Sequence, residues 1–181
     1  MHDSLDTLRL HLRPVSQNDL EAVHELHSLP ETDLYNTLGI PENIQVTQRI
    51  VDRFVNDNTA HPRMNYFFVV LLRQTGQFIG LAALKLSEAK YNNGEIWYKL
   101  HRNYWGQGYA TEAVKALVHL GIHDLGLHRL EAGCAVKNVG SARVLEKAGM
   151  LREGRKRKHL PLKSGWSDCF EYALLKEDVE K

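Results

Sequence analysis

The stretch Trp105-Gly106-Gln107-Gly108-Tyr109-Ala110 decides the fold through what stands on either side of it. Before it comes the strand-like Glu95-Ile96-Trp97-Tyr98-Lys99-Leu100, and after it Ala113, Val114, Leu117, Val118 and Leu125 recur at helical spacing. A strand, a tight turn with two glycines and a helix start gather several free backbone N–H groups around one point, at the positive end of a helix dipole. That arrangement is an anion cradle. Two glycines alone mark no more than a surface loop; the periodicities on both sides supply the geometry a cradle needs.

The cradle also excludes two ligand classes. A P-loop places Gly-Lys-Ser/Thr after its glycines to hold a metal nucleotide, and a dinucleotide fingerprint needs a third glycine. Here Tyr109-Ala110-Thr111-Glu112 follows Gly108. A diphosphate that needs no metal, such as that of coenzyme A, fits this turn better.

Glu-Ile-x-Tyr-x-Leu from Glu95 to Leu100, Tyr104-Trp105-Gly106-Gln107-Gly108-Tyr109-Ala110-Thr111-Glu112-Ala113, Asn138-x-x-Ser141 and Lys147-Ala148-Gly149-Met150 together resemble the GNAT N-acetyltransferase superfamily. Within it they are most similar to the RimJ/RimL branch, the ribosomal-protein N-terminal acetyltransferases and their relatives. The resemblance runs from Leu8 to Leu175 and is most specific from Glu95 to Met150. Gly108 and Ala110 fill the small positions of the superfamily's Gln/Arg-x-x-Gly-x-Gly/Ala pattern, while Trp105 stands where Gln or Arg is usual. The resemblance implies an α/β (α+β) GNAT fold, one domain over 1–181, with a mixed, mostly antiparallel sheet of about seven strands flanked by about four helices.

Composition agrees with one compact core. At 181 residues, 43% hydrophobic and 25% charged, a single domain buries about 70% of its extended-chain surface. A net charge of +1 gives no general electrostatic case for nucleic acid or an anionic membrane. The two cysteines, Cys134 and Cys169, sit in strand-like stretches and read as buried thiols, not a disulfide framework. The first residues lack the organisation of a secretory signal, and no apolar run reaches the ~20 residues that span a bilayer. A soluble cytoplasmic protein is expected.

Along the chain, Leu8, Leu10 and Leu12 alternate with polar residues as a half-buried first strand. Ser16 and Asp19 make a capping-box start for a helix carrying Leu20, Val23, Leu26 and Leu29. His24 and His27 on it do not have metal-site spacing and read as part of a solvated face. The Pro30 to Pro41 loop, with Tyr35, Leu38 and Ile40, leads to a second helix through Val46, Ile50, Val51, Phe54 and Val55. In GNAT folds this helix pair forms one wall of the acceptor groove. Tyr66 to Leu72 and Phe78 to Leu86 read as a hairpin pair, and alternation places Glu95, Trp97 and Lys99 on one strand face, Ile96, Tyr98 and Leu100 on the other. His119 and His123, four apart on the helix after Gly108, lack a nearby third ligand and read as structural; no metal is expected. Arg129 to Val136 is a strand, Asn138 opens a short helix ending at Gly149, and two last strands flank a turn at Pro161 to Gly165. The basic run Arg155-Lys156-Arg157-Lys158 falls in a strand whose alternation splits it between two faces, which argues against an RNA stripe.

The resemblance assigns candidate roles. Backbone groups of Tyr98 and Leu100 would meet the pantetheine arm, Trp105, Gly106, Gln107, Gly108, Tyr109 and Ala110 the diphosphate of acetyl-CoA, Asn138 the cofactor arm, and Lys147 its phosphates, its alternative being an exposed helix lysine. A protonated amine must lose a proton before it attacks. Glu95 is the candidate base, its alternative being a structural ion pair; His159 is the second candidate, and solvent a third. Many GNAT enzymes place an acidic tyrosine seven residues after the asparagine, where this chain has Leu145. Ser141, also suited to helix capping, is the candidate hydrogen-bond donor to the leaving sulfur. The acceptor would be an amine, a ribosomal-protein N-terminus or a small amine or polyamine. A non-catalytic acyl-CoA sensor is the competing class. Relatives in this branch are often dimers, so a homodimer is among the implied states.

Overall fold

The computed structural model describes residues 4–179. Strands β1 (Leu5–Asp6) and β2 (Leu10–Pro14) precede helices α1 (Leu20–Ser28), α2 (Pro30–Asp33) and α3 (Ile44–Thr59). A meander of β3 (Asn65–Leu72), β4 (Phe78–Leu86) and β5 (Asn93–Leu100) leads into α4 (Tyr109–His119). Then come β6 (Arg129–Ala135), α5 (Val139–Lys147), β7 (Leu151–Leu162), β8 (Gly165–Leu175) and the short α6 (Lys176–Val179).

The strands form one 8-stranded sheet in the order β1-β2-β3-β4-β5-β6-β8-β7. All neighbours are antiparallel except β5 and β6. The strand beyond the expected seven is β1, and α2 and α6 are single turns too short to show a period. Leu8 is 88% exposed in the bend between β1 and β2, so the first strand proper begins at Leu10.

Strand alternation sends side chains into two cores, one on each sheet face. Phe68 and Val70 join Leu84, Ile96, Val114, Leu117 and Leu145 under α4 and α5. Phe67 and Val69 join Val23, Leu26, Val51 and Phe54 under α1 and α3. Each such fully buried side chain contributes roughly 1.5–3 kcal/mol. The start of α1 is fixed by the expected capping box at Ser16 and Asp19, reinforced by a two-pronged pair from Arg13 to the same carboxylate at 2.7 and 2.8 Å. Here the expectation of a solvated histidine face fails. His27 is completely buried, and His24 Nδ1 lies 2.7 Å from Thr47 Oγ1, because α1 packs beside α3 on one sheet face and buries this side with Val23 and Leu26.

The feature that positions the site is the seam between β5 and β6. They pair only at Asn93, Gly94 and Glu95, opposite Arg129, Leu130 and Glu131, and then diverge. The bond from His101 N–H to Ile79 O, 2.9 Å, sets the phase of β5: odd-numbered residues bond back to β4. By alternation the backbone groups of Ile96, Tyr98 and Leu100 face the opening seam.

Candidate active site

A cleft of about 1640 Å³ follows this seam and passes from one sheet face to the other. On the α4 side its wall is the glycine turn. Gly106 and Gly108 have φ of +74° and +83°, the left-handed region that L side chains rarely adopt. Gly108 is the N-cap of α4 and offers no side chain, and the first intrahelical bond runs from Glu112 N–H to Gly108 O at 3.0 Å. The N–H groups of Tyr109, Ala110 and Thr111 therefore stand at the helix entrance without intrahelical acceptors. Gly106, Gly108, Ala110 and Thr111 line the cleft.

The turn is clamped from behind. Arg9 donates to Gln107 O at 3.0 Å and to Glu112 Oε2 at 2.7 Å, and lies 4.4 Å over the Tyr109 ring. Thr7 Oγ1 and the Arg9 N–H both donate to Glu112 Oε1, at 2.6 and 2.8 Å. Burial pushes the Glu112 carboxyl upward, but these donors outweigh it and hold the group below its ordinary value. Gln107 turns its amide to Asn103 O at 2.9 Å, and the Trp105 indole donates to Leu100 O at 2.8 Å. The Gln107 amide nitrogen and the Tyr109 ring are thus engaged within the protein, and the backbone of the turn is what faces a ligand. Leu100 retains its N–H, and Tyr98 both main-chain groups, along the seam.

At the seam Tyr98 does more than its backbone suggests. Its hydroxyl lies 2.6 Å from Ser141 Oγ and 3.3 Å from Ser141 O, and burial raises its pKa well above the ordinary value, so it remains a donor. Ser141 is not the helix cap. Asn138 fills that role by accepting from Ser141 N–H at 3.1 Å, which leaves the Asn138 amide nitrogen for other partners. Leu145 is fully buried in the core, so the position expected to carry an acid points away from the cleft here. The side-chain hydroxyl of Tyr98 was missed from sequence because it meets Ser141 across 43 residues of chain. Cys134 also lines the cleft; burial first, then the nearby Cys169, pushes its thiol up to about 11, keeping it a thiol. Both cysteines are buried and free.

Lys147 is exposed at the end of α5 and lines the cleft mouth, joined one turn earlier by Arg143, which the sequence did not single out. On the other side of the seam, Glu95 is exposed to the cleft, opposite Lys85 on β4 and beside Glu131 on β6. Glu131 is held by Arg129 at 2.7 Å, whereas Glu95 makes no ion pair among the described residues. His159 lines the same cleft from β7. The basic run is partly neutralised, since Arg155 pairs with Asp168 at 2.6 Å and Lys156 with Glu171. The His119 and His123 rings lie 4.8 Å apart, tilted by 44°, and among the described residues no group of three or more His, Cys, Asp or Glu is arranged to hold a metal ion. No helix there is long and apolar enough to cross a membrane.

The GNAT acetyltransferase domain family matches residues 9–151. The chain belongs to the GNAT acetyltransferase family. It is 33% identical to the uncharacterized N-acetyltransferase YnaD of Bacillus subtilis, over 96% of this chain and 98% of that one. It is 25% identical to the ribosomal-protein-serine acetyltransferase of Escherichia coli over 92% of both. A GNAT acetyltransferase from Bacillus anthracis superposes with a TM-score of 0.83 at 30% identity, over 96% of this chain and 99% of that one. The protein described here is accordingly an acetyl-CoA-dependent acetyltransferase of the GNAT family.

Proposed function

We propose that this GNAT acetyltransferase acetylates a protein N-terminal α-amine, by direct attack of the amine on acetyl-CoA in a ternary complex. The carrying observation is the two-sided seam: cradle and paired hydroxyls open onto one sheet face, and Glu95 onto the other, within one cleft. The cradle suits a diphosphate, having free first-turn N–H groups, no Cβ at Gly108 and the cations of Arg143 and Lys147 near its mouth. With the thioester at the seam, the acceptor ammonium gives a proton to Glu95, directly or through water, and the neutral nitrogen attacks the carbonyl carbon. A seam-facing N–H of Tyr98 or Leu100 is placed to donate to the developing oxyanion. The C–S bond then breaks, the second amine proton leaves to solvent, or to Glu95 once it has passed the first proton to solvent, and the thiolate departs while accepting a hydrogen bond from Ser141, which Tyr98 supports. Burial makes the Tyr98 hydroxyl a weaker acid than a thiol, so this pair stabilises the thiolate and does not protonate it. Most of the acceleration comes from holding two reactants together.

The α-amine reading is tested by following thiol release with peptides beginning Ser, Ala or Met, against spermidine and other polyamines. A peptide preference of tenfold or more in kcat/KM supports it. Faster turnover of polyamines overturns it in favour of small-amine acetylation, and tight acetyl-CoA binding without turnover of any amine identifies a sensor. Within the same assay, Glu95→Gln lowers kcat about a hundredfold at neutral pH. The loss deepens at acid pH, where hydroxide cannot substitute for the carboxylate, while donor affinity is retained. An unchanged pH–rate profile removes Glu95 from the base role.

A further inference from the structure

Lys99 and His27 remain outside the chemistry above. Both are buried, Lys99 at 6% and His27 at 0% exposure, and both line the same cleft. Lys99 shares a β5 face with Glu95 and Trp97, opposite the face that carries Tyr98, and so stands on the amine's side of the seam. It makes no ion pair among the described residues. Both ring nitrogens of His27 are buried without a hydrogen-bond partner, the only such side-chain atoms among the described residues. A native interior rarely leaves such groups unmatched, because a buried polar group without a partner keeps its full desolvation penalty. Burial, then the Lys99 charge, lowers the His27 pKa to about 3, so the ring is neutral, with one N–H to donate. Burial lowers Lys99 to about 8, and the Asp33 carboxylate opposes that shift, so the ammonium persists at neutral pH.

From this geometry, and resting on the acetyltransfer reading, we propose that Lys99 and His27 form an anion subsite in the acceptor groove, which selects amines that carry a carboxylate. The ammonium and one imidazole N–H converge on a carboxylate oxygen and gain the acceptors they lack. A polyamine would instead bring a second cation toward Lys99. Glu95 and Lys99 are four strand residues apart, about 13 Å. A ligand that spans this distance, less a hydrogen bond at each end, needs about two to four extended residues, which suits an acidic residue near a peptide N-terminus, while a free acidic amino acid spans less.

The test compares Ala-Asp, Ala-Ala-Asp and Ala-Ala-Ala-Asp peptides with their Asn counterparts, and with free aspartate. In the wild-type protein at least one Asp peptide exceeds its Asn partner by tenfold or more in kcat/KM, and Lys99→Met removes that ratio. Higher activity on free aspartate than on every peptide assigns the same subsite to small acidic amines. A second readout needs no turnover: N-acetylated Asp peptides bind the CoA-loaded protein at least tenfold more tightly than N-acetylated Asn peptides, and Lys99→Met abolishes the difference. Acetyl-CoA affinity measured on the variant reports that it is folded. Equal Asp and Asn values in both readouts overturn the subsite and leave Lys99 a structural charge balanced by Asp33. If no amine turns over but the binding difference stands, the acetyltransfer reading fails and the subsite survives.

Discussion

Gly108→Val raises the dissociation constant for acetyl-CoA at least a hundredfold, measured by calorimetry. Two effects act together. Gly108 has φ +83°, and a β-branched residue held there costs about 1–3 kcal/mol. The added side chain also crowds the clamp, since even its Cβ would lie 3.3 Å from Arg9 Nη2. Arg9 must then shift, which strains its bonds to Gln107 O and Glu112 that hold the turn in shape. The free N–H groups of Tyr109 to Thr111 lose their common aim even if α4 persists. Gly126→Val is the control. Gly126 has φ +68°, a Cβ there would meet nothing within 4 Å, and the residue does not line the cleft. That variant lowers the melting temperature while acetyl-CoA affinity stays within twofold. A folded Gly108→Val protein with ordinary affinity would remove the cradle from cofactor binding.

The same turn shows how far sequence carries. Its glycines, the strand before it and the helix after it were legible because each is a local pattern: a positive-φ requirement, an alternation and a 3.6-residue period. The capping box at Ser16 and Asp19 and the left-handed cap at Gly149, φ +95°, were legible for the same reason. What could not be read depends on pieces distant in the chain. The Arg9 clamp joins the bend before β2 to a turn 98 residues later, and the Tyr98–Ser141 contact joins β5 to α5. His27 failed for a related reason. A helix with polar residues on several sides does not announce which of them packing will cover, and His27, an imidazole that composition alone places outside, is buried near Lys99 of β5. Leu145 warned of a missing acid but could not say that its position faces the core.

Removing either hydroxyl at the seam lowers kcat about a hundredfold, and removing both lowers it little further. The expectation for Ser141→Ala follows from the cost of deleting one donor aimed at developing charge, roughly 10²–10³ in rate. Tyr98→Phe gives a similar loss by a different route. The Tyr98 hydroxyl lies 2.6 Å from Ser141 Oγ in a buried setting, so without it the serine rotor keeps only the weak Cys134 thiol as a partner and its donor direction is loosened. Residues acting through one another are non-additive, so the double variant falls near the worse single one and well short of the ~10⁴ product. The sulfur carries charge only as the C–S bond breaks, which puts the loss in kcat and in kcat/KM alike, with KM and donor affinity unchanged. A merely structural pair would behave otherwise: Tyr98→Phe would cost about 1 kcal/mol of stability, visible in melting, and leave kcat alone. Independent, multiplying effects would sever the relay between the two hydroxyls. An unaltered kcat in Ser141→Ala would assign the thiolate to solvent.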